Sequence, residues 1–186
     1  MGNDNLNYLR FCEDGDEQGL AEIIKAHNDG LILFIYSIVG NISIAEDIAE
    51  DTFVHLGVKK PKNKQKASFK TWLYTIARNK SIDYLRKQGR KNEISISEIG
   101  DICSGNDTVE AAYFGDERKR IIYMNLAKLS SEYKNVLWLY YFEGFKCVEI
   151  AVLLKKSVHT VEMLLHRARK ALKTELMKEG FIYEEL

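Results

Sequence analysis

Four carboxylates, Glu46, Asp47, Glu50 and Asp51, fall within two helical turns of one another. Acids clustered this way hold a metal, meet a cationic partner or form a merely solvated helix face. A metal-dependent nuclease would need a further His, Asp or Glu brought to the same place, and His27, His55, His159 and His166 show no ligand spacing. Neither a phosphate-binding glycine loop nor a nucleophile motif occurs. Cys12, Cys103 and Cys147 lie far apart, without the paired spacing of a disulfide framework or a zinc site, which fits a reducing cytosol. No catalytic residue, metal or cofactor is therefore expected, and an enzyme is poorly supported. The chemistry left to the four acids is non-covalent: like charges at this spacing repel, and a cationic surface relieves that cost.

The cations are segregated too. The formal net charge is zero, with 27 Lys or Arg against 27 Asp or Glu, but residues 59–91 hold twelve cations and a single acid, Asp83. Lys59, Lys60, Lys62, Lys64, Lys66 and Lys70 can neutralise phosphate oxygens and tether a melted strand. Arg78 and Asn79 offer hydrogen bonds to an unstacked base, with Lys80 beside them. Phe69, Trp72, Tyr74 and Tyr84 supply aromatic surface, and for Trp72 a place in the core and a role as a base platform both stay open. A second basic stripe runs through "TVEMLLHRARKALK" near the C-terminus, with an acid, Glu162, near its start.

The elements that must position these groups read as helices throughout. Helices are expected over about 17–27 and 29–39, then over 43–57 behind a capping box of Ser43 and Glu46. "GVKKPKNKQKASF" holds the single proline and reads as a loop, followed by a helix over 69–87 that bends or is capped near Asn79 to Ser81. "LILFIYSIVG" is about half the ~20 apolar residues that cross a bilayer, so it reads as a buried helix. Residues 88–117 lack Lys or Arg up to Glu117 once past Lys91 and show little periodicity, which makes them a linker between two modules. Beyond it, "EYKNVLWLYYF" is expected to bury Val136, Leu137, Tyr140 and Tyr141. "KCVEIAVLL" and "SVHTVEMLLHRARKALK" then form a helix-turn-helix pair, with Ser157 as N-cap and Val161, Leu164, Leu165, Ala168 and Leu172 as the buried stripe. The fold expected is all-α: a domain over 1–87, a flexible linker over 88–117, and a helix-turn-helix domain over 118–186.

"AEDIAEDTF" at 45–53, "FKTWLYTIARNKSIDYLRK" at 69–87 and "LSSEYKNVLWLYYFEGFKCVEIAVLLKKSVHTVEMLLHRARKAL" at 129–172 resemble, in order, the hallmark blocks of bacterial RNA polymerase sigma factors of the extracytoplasmic-function group. The resemblance implies that the first domain binds core RNA polymerase through Glu46, Asp47, Glu50 and Asp51. It implies that Lys64, Lys66, Lys70, Trp72, Arg78, Asn79 and Lys80 handle the minus 10 promoter element. The second domain would read the minus 35 element through Ser157, His159, Thr160, Glu162, Met163, His166, Arg167 and Lys170. Promoter DNA, core polymerase and an anti-sigma factor are the partners implied, with no membrane insertion. The expected location is cytoplasmic, near the membrane where an anti-sigma partner holds it there.

Departures from the family pattern bear on the last helix. The family's turn glycine is matched by Lys155, the following apolar residue by Lys156, and its frequent "TVKSRL" by "TVEMLL". Weak reading of an unusual minus 35 sequence is expected, because two positive charges are lost and one negative charge gained. Two rival functions remain: a stand-alone helix-turn-helix regulator, which residues 129–173 alone would permit, and a non-initiating protein that titrates polymerase or an anti-sigma factor. For the free chain, modules folded together with hidden DNA surfaces, or modules held by an anti-sigma protein, are both open.

Overall fold

A helix that is apolar on every side has to be covered on every side, and the run from Leu31 to Val39 organises the fold on that ground. In the computed structural model, which describes residues 3–63, 67–92, 124–126 and 128–178 (backbone alone at 90–92), this run is the second half of α2 (Glu17–Val39). Leu31, Ile32, Leu33, Phe34, Ile35, Tyr36 and Val39 are all buried. The sequence predicts two helices over this stretch, and the structure has one. Packing from both flanks carries the helix through Gly30, whose mid-helix cost is about 1 kcal/mol. Asp16 caps its start, accepting from the Gln18 N–H at 3.1 Å, and Gly40 ends it in the left-handed conformation.

Around α2 pack α1 (Asn3–Asp14), α3 (Ile42–Lys59) and α4 (Phe69–Asn92). α3 is capped by Asn41, whose side chain accepts from the Ile44 N–H at 3.1 Å, so the start lies upstream of the Ser43 box read from the sequence. α4 runs unbroken through Asn79 to Ser81 and continues past Lys87 to Asn92. Ser81 is absorbed into the helix by donating its hydroxyl to the Ala77 carbonyl at 2.9 Å.

The second module is α5 (Ser131–Leu137), a π-helical turn at Trp138–Phe142, α6 (Cys147–Leu154) and α7 (Val158–Lys178). Val136 and Leu137 are buried as expected, but Tyr141 is 57% exposed. Both tyrosines lie inside the π-helical turn, whose spacing departs from the 3.6-residue period on which the expectation rests, and Tyr140 is half-buried. Lys155 joins α6 to α7 in the left-handed region, at φ 55° and ψ 43°. Ser157 caps α7, accepting from the Thr160 N–H at 3.0 Å. Val161, Leu164, Leu165 and Ala168 form its buried stripe, with Leu172 half-buried at the end.

One hydrophobic core runs through both modules. Leu33 of α2 packs on Trp138, and Phe34 lies 5.2 Å from the ring of Tyr74, which meets Phe145 edge-on at 5.1 Å. Of the two arrangements open to the free chain, the structure has the modules packed together, but the set expected to read the minus 35 element stays exposed and is not hidden. All regular elements among the described residues are helical. Beyond Asn92 the expected linker lies outside the described residues, as do Lys64, Lys66 and the tail from residue 179.

Candidate polymerase and nucleic-acid interface

The acid stripe follows from the helical period. On α3, Ala45, Ile48, Ala49, Thr52 and Phe53 face the core, which turns Glu46, Asp47, Glu50 and Asp51 outward, and all four are exposed. Asp51 lies 3.8 Å from the ammonium of Lys80 on α4. At that distance and exposure the pair contributes little to stability.

The residues proposed for the minus 10 element divide between surface and interior. Asn79 is exposed, Lys80 and Arg78 are half-buried, and burial lowers the Arg78 pKa from its ordinary value. Trp72 is a correction to the base-platform reading: it is 7% exposed, with its ring 5.5 Å from Tyr8 and 5.6 Å from Phe69. In the loop before α4, Lys60 donates to the Phe11 carbonyl at 3.2 Å and lies over the Phe11 ring. Lys59 and Lys62 stay exposed.

Lys70 does not face solvent freely. Its ammonium is 2.9 Å from the Glu143 carboxylate and donates to the Glu143 carbonyl at 2.7 Å, and it lies over the rings of Tyr74 and Phe145 at 5.6 and 5.0 Å. The Tyr74 hydroxyl donates to the same carboxylate at 2.6 Å. Burial first, then the Glu143 charge and this hydrogen bond, raise the Tyr74 pKa well above its ordinary value of 10.0. One turn away, the hydroxyls of Ser68 and Thr71 both lie within hydrogen-bond distance of Glu149 Oε1, at 2.9 and 3.1 Å. Sequence reasoning does not find Ser68, Thr71, Glu143 or Glu149 as functional groups. The signal available was indirect: an all-round apolar run in α2 asks for more cover than the first module's helices provide.

On α7 the exposed set is the one the helical pattern requires. Ser157, His159, Thr160, Glu162, Met163, His166, Arg167 and Lys170 all reach solvent while the apolar stripe holds the helix down. Arg169, on the same helix, is turned over the rings of Tyr140 and Tyr141 at 5.4 and 5.6 Å. Lys156, which stands where the pattern expects an apolar residue, pairs instead with Glu132 of α5 at 2.9 Å.

The arrangement is an exposed acidic stripe on α3, a polar edge at the start of α4 that the second module covers, and an exposed polar face on α7. Comparison with known proteins gives the family. The profile described as sigma-70 region 2 matches residues 23–91, and that for sigma-70, region 4 matches residues 119–172. The ECF RNA polymerase sigma factor SigW of Bacillus subtilis is 30% identical over 176 residues, spanning 90% of this chain and 94% of that protein. Among solved structures, CnrH in complex with the cytosolic domain of CnrY superposes with a TM-score of 0.65 at 20% identity, covering 94% of this chain and 97% of that one. The sigma factor RpoE of Bartonella quintana, solved with the anti-sigma factor NepR, gives 0.63 at 23% identity over 84% and 96%. At these identities the structures speak for the fold.

Proposed function

The chain belongs to the sigma-70 family, in its extracytoplasmic-function group, and on that premise we propose which of its surfaces does which part of the work. As an RNA polymerase sigma factor it binds core polymerase, directs it to promoters and assists opening. Bond formation belongs to the polymerase, and the chain supplies recognition and strand opening.

Glu46, Asp47, Glu50 and Asp51 dock the core enzyme. The observation that carries this reading is their common exposure on one face of α3, with the opposite face fixed in the core, so that the repulsion among them is relieved when a basic surface arrives. The loop before α4 and the exposed groups of α4, Asn79, Lys80 and the half-buried Arg78, engage the minus 10 element, with Lys64, Lys66 and Lys70 as phosphate contacts. α7 enters the major groove at the minus 35 element, with Ser157, His159, Thr160, Glu162 and Met163 nearest the bases. His166, Arg167 and Lys170, further along, meet phosphate. Glu162 fits an acceptor for the cytosine amino group, which supports an unusual minus 35 sequence. An anti-sigma factor is the further partner, by likeness to the sigma factor RpoE solved with the anti-sigma factor NepR. The domain division proposed is 1–87, 88–117 and 118–186, with α4 carrying the first module's helix on to Asn92. No helix among the described residues is long and apolar enough to cross a membrane.

Run-off transcription with purified core polymerase, with and without the chain, tests the assignment. Specific starts should require it, and D47K/E50K should weaken core binding by about tenfold or more, ~1.4 kcal/mol, while leaving the helical content unchanged. Core binding that ignores the double reversal would remove α3 from the docking surface. Core binding without any start would instead support a protein that titrates polymerase.

A further inference from the structure

At the start of α4 the fold has assembled a set of donors suited to an anion: the hydroxyls of Ser68, Thr71 and Tyr74 and the ammonium of Lys70. Every one of them is already engaged by a carboxylate from the second module. Glu143 takes Lys70 and Tyr74, and Glu149 takes Ser68 and Thr71. The two acids approach from either side of α6's first turn, Glu143 from the chain before Gly144 and Glu149 from the helix itself. Their seat is shaped for the approach. A Cβ on Gly30 would run into the Glu143 carboxylate and stand 2.8 Å from the Tyr74 hydroxyl oxygen. The glycine in the middle of α2, a poor helix residue, is the position that lets this acid in.

We propose that Glu143 and Glu149 form an intramolecular clasp that occupies the donors at the start of α4, Lys70 among them, with carboxylates in the place of phosphates, so that this end of the strand-binding edge is closed to melted DNA until the modules separate. The proposal rests on the reading that the start of α4 engages the minus 10 strand. Occlusion is one-sided: the acid stripe of α3 and the outer face of α7 stay exposed in the closed form. The free chain is therefore able to meet polymerase and duplex DNA first and a single strand only after opening. An anionic strand and the clasp carboxylates compete for the same donors, which couples module separation to strand capture.

A reversible lock tests this in the full chain. With Cys12, Cys103 and Cys147 replaced by Ser, the pair S68C/E149C is bridged by a short bis-maleimide with a reducible linker and assayed by run-off transcription before and after cleavage. The bridged form should lose about tenfold or more of its starts, and cleavage should restore them. Equal transcription by both forms, or failure of the pair to bridge, would overturn the clasp. E143Q/E149Q in the free chain should open the modules in small-angle scattering and bind a fluorescent single-stranded minus 10 oligonucleotide about tenfold more tightly. Opening without tighter binding overturns the masking, and where the variant stays closed the lock decides. Adding K70A separates the two readings. If the gain survives it, Lys70 is not a strand contact and the clasp stands; if the gain disappears, both stand.

Discussion

Glu149 uses its two carboxylate oxygens for two purposes. Oε2 accepts from the Lys146 N–H at 3.0 Å and closes the start of α6, while Oε1 takes the hydroxyls of Ser68 and Thr71 from the other module. Burial acts to raise its pKa, but the hydrogen bonds from Lys146, Ser68 and Thr71 outweigh it and hold the carboxyl below its ordinary value of 4.5. A depressed carboxyl contributes stability that is present above the ordinary value and is lost as pH falls through the folded one. The urea midpoint of the wild-type chain should therefore fall more steeply below pH 4.5 than that of E149Q. Parallel slopes would mean that this carboxylate is not held as the structure has it. Lys155 illustrates a residue whose conformation was legible in advance. Its match to a turn glycine predicts the left-handed region, which a residue with a Cβ enters at about 1 kcal/mol or more, and its φ of 55° agrees. Trp72 illustrates the reverse, because nothing in the spacing of a lone Trp distinguishes a platform from a core ring. Tyr8, more than sixty positions away, supplies the contact that fixes it.

Among the helices, α3 and α7 obey the same rule. An apolar stripe is committed to the core, and the polar residues one and two positions on are turned outward by the 3.6-residue period. In the outward set on α7, Glu162 and Met163 stand between the capped start and the basic end. On a standard minus 35 sequence, E162K removes a repulsion and adds a cation close to the DNA. It should raise duplex affinity by about tenfold at low salt and steepen the log affinity against log salt slope by roughly 0.9, read by fluorescence anisotropy on a minus 35 duplex. An unchanged slope would place Glu162 away from the phosphates, and unchanged affinity on a standard minus 35 sequence as well would end the idea of an atypical reading helix. The π-helical turn at Trp138–Phe142 is the element no local pattern announces. Its consequence is concrete, since it sends Trp138 inward against Leu33 and leaves Tyr141 exposed beside Arg169.

A single core joins the modules through Leu33, Phe34, Tyr74 and Phe145, which predicts that the whole molecule unfolds as one unit. The chain has two tryptophans, Trp72 in the first module and Trp138 in the second. Each reports its own half. Urea unfolding followed in W72F and W138F variants should give coincident midpoints by fluorescence and by circular dichroism. Adding E143Q/E149Q should pull the two midpoints apart. Separate transitions before any clasp variant is introduced would show that the modules fold independently and that their contact is marginal.

The all-helical class, the two modules, the acid stripe and the exposed face of α7 were determined by the sequence alone. Each depends on a period of 3.6 residues or on the sign of neighbouring charges, and both are properties of adjacent residues. The union of α2 into one helix, the burial of Trp72, the π turn and the clasp were decided by tertiary structure. These depend on groups far apart in sequence: Glu149 meets Ser68 across 81 positions, and Glu143 meets Tyr74 across 69. A hydrogen bond between such groups exists only once burial of the apolar face of α2 has brought the two modules together, and no local spacing encodes it.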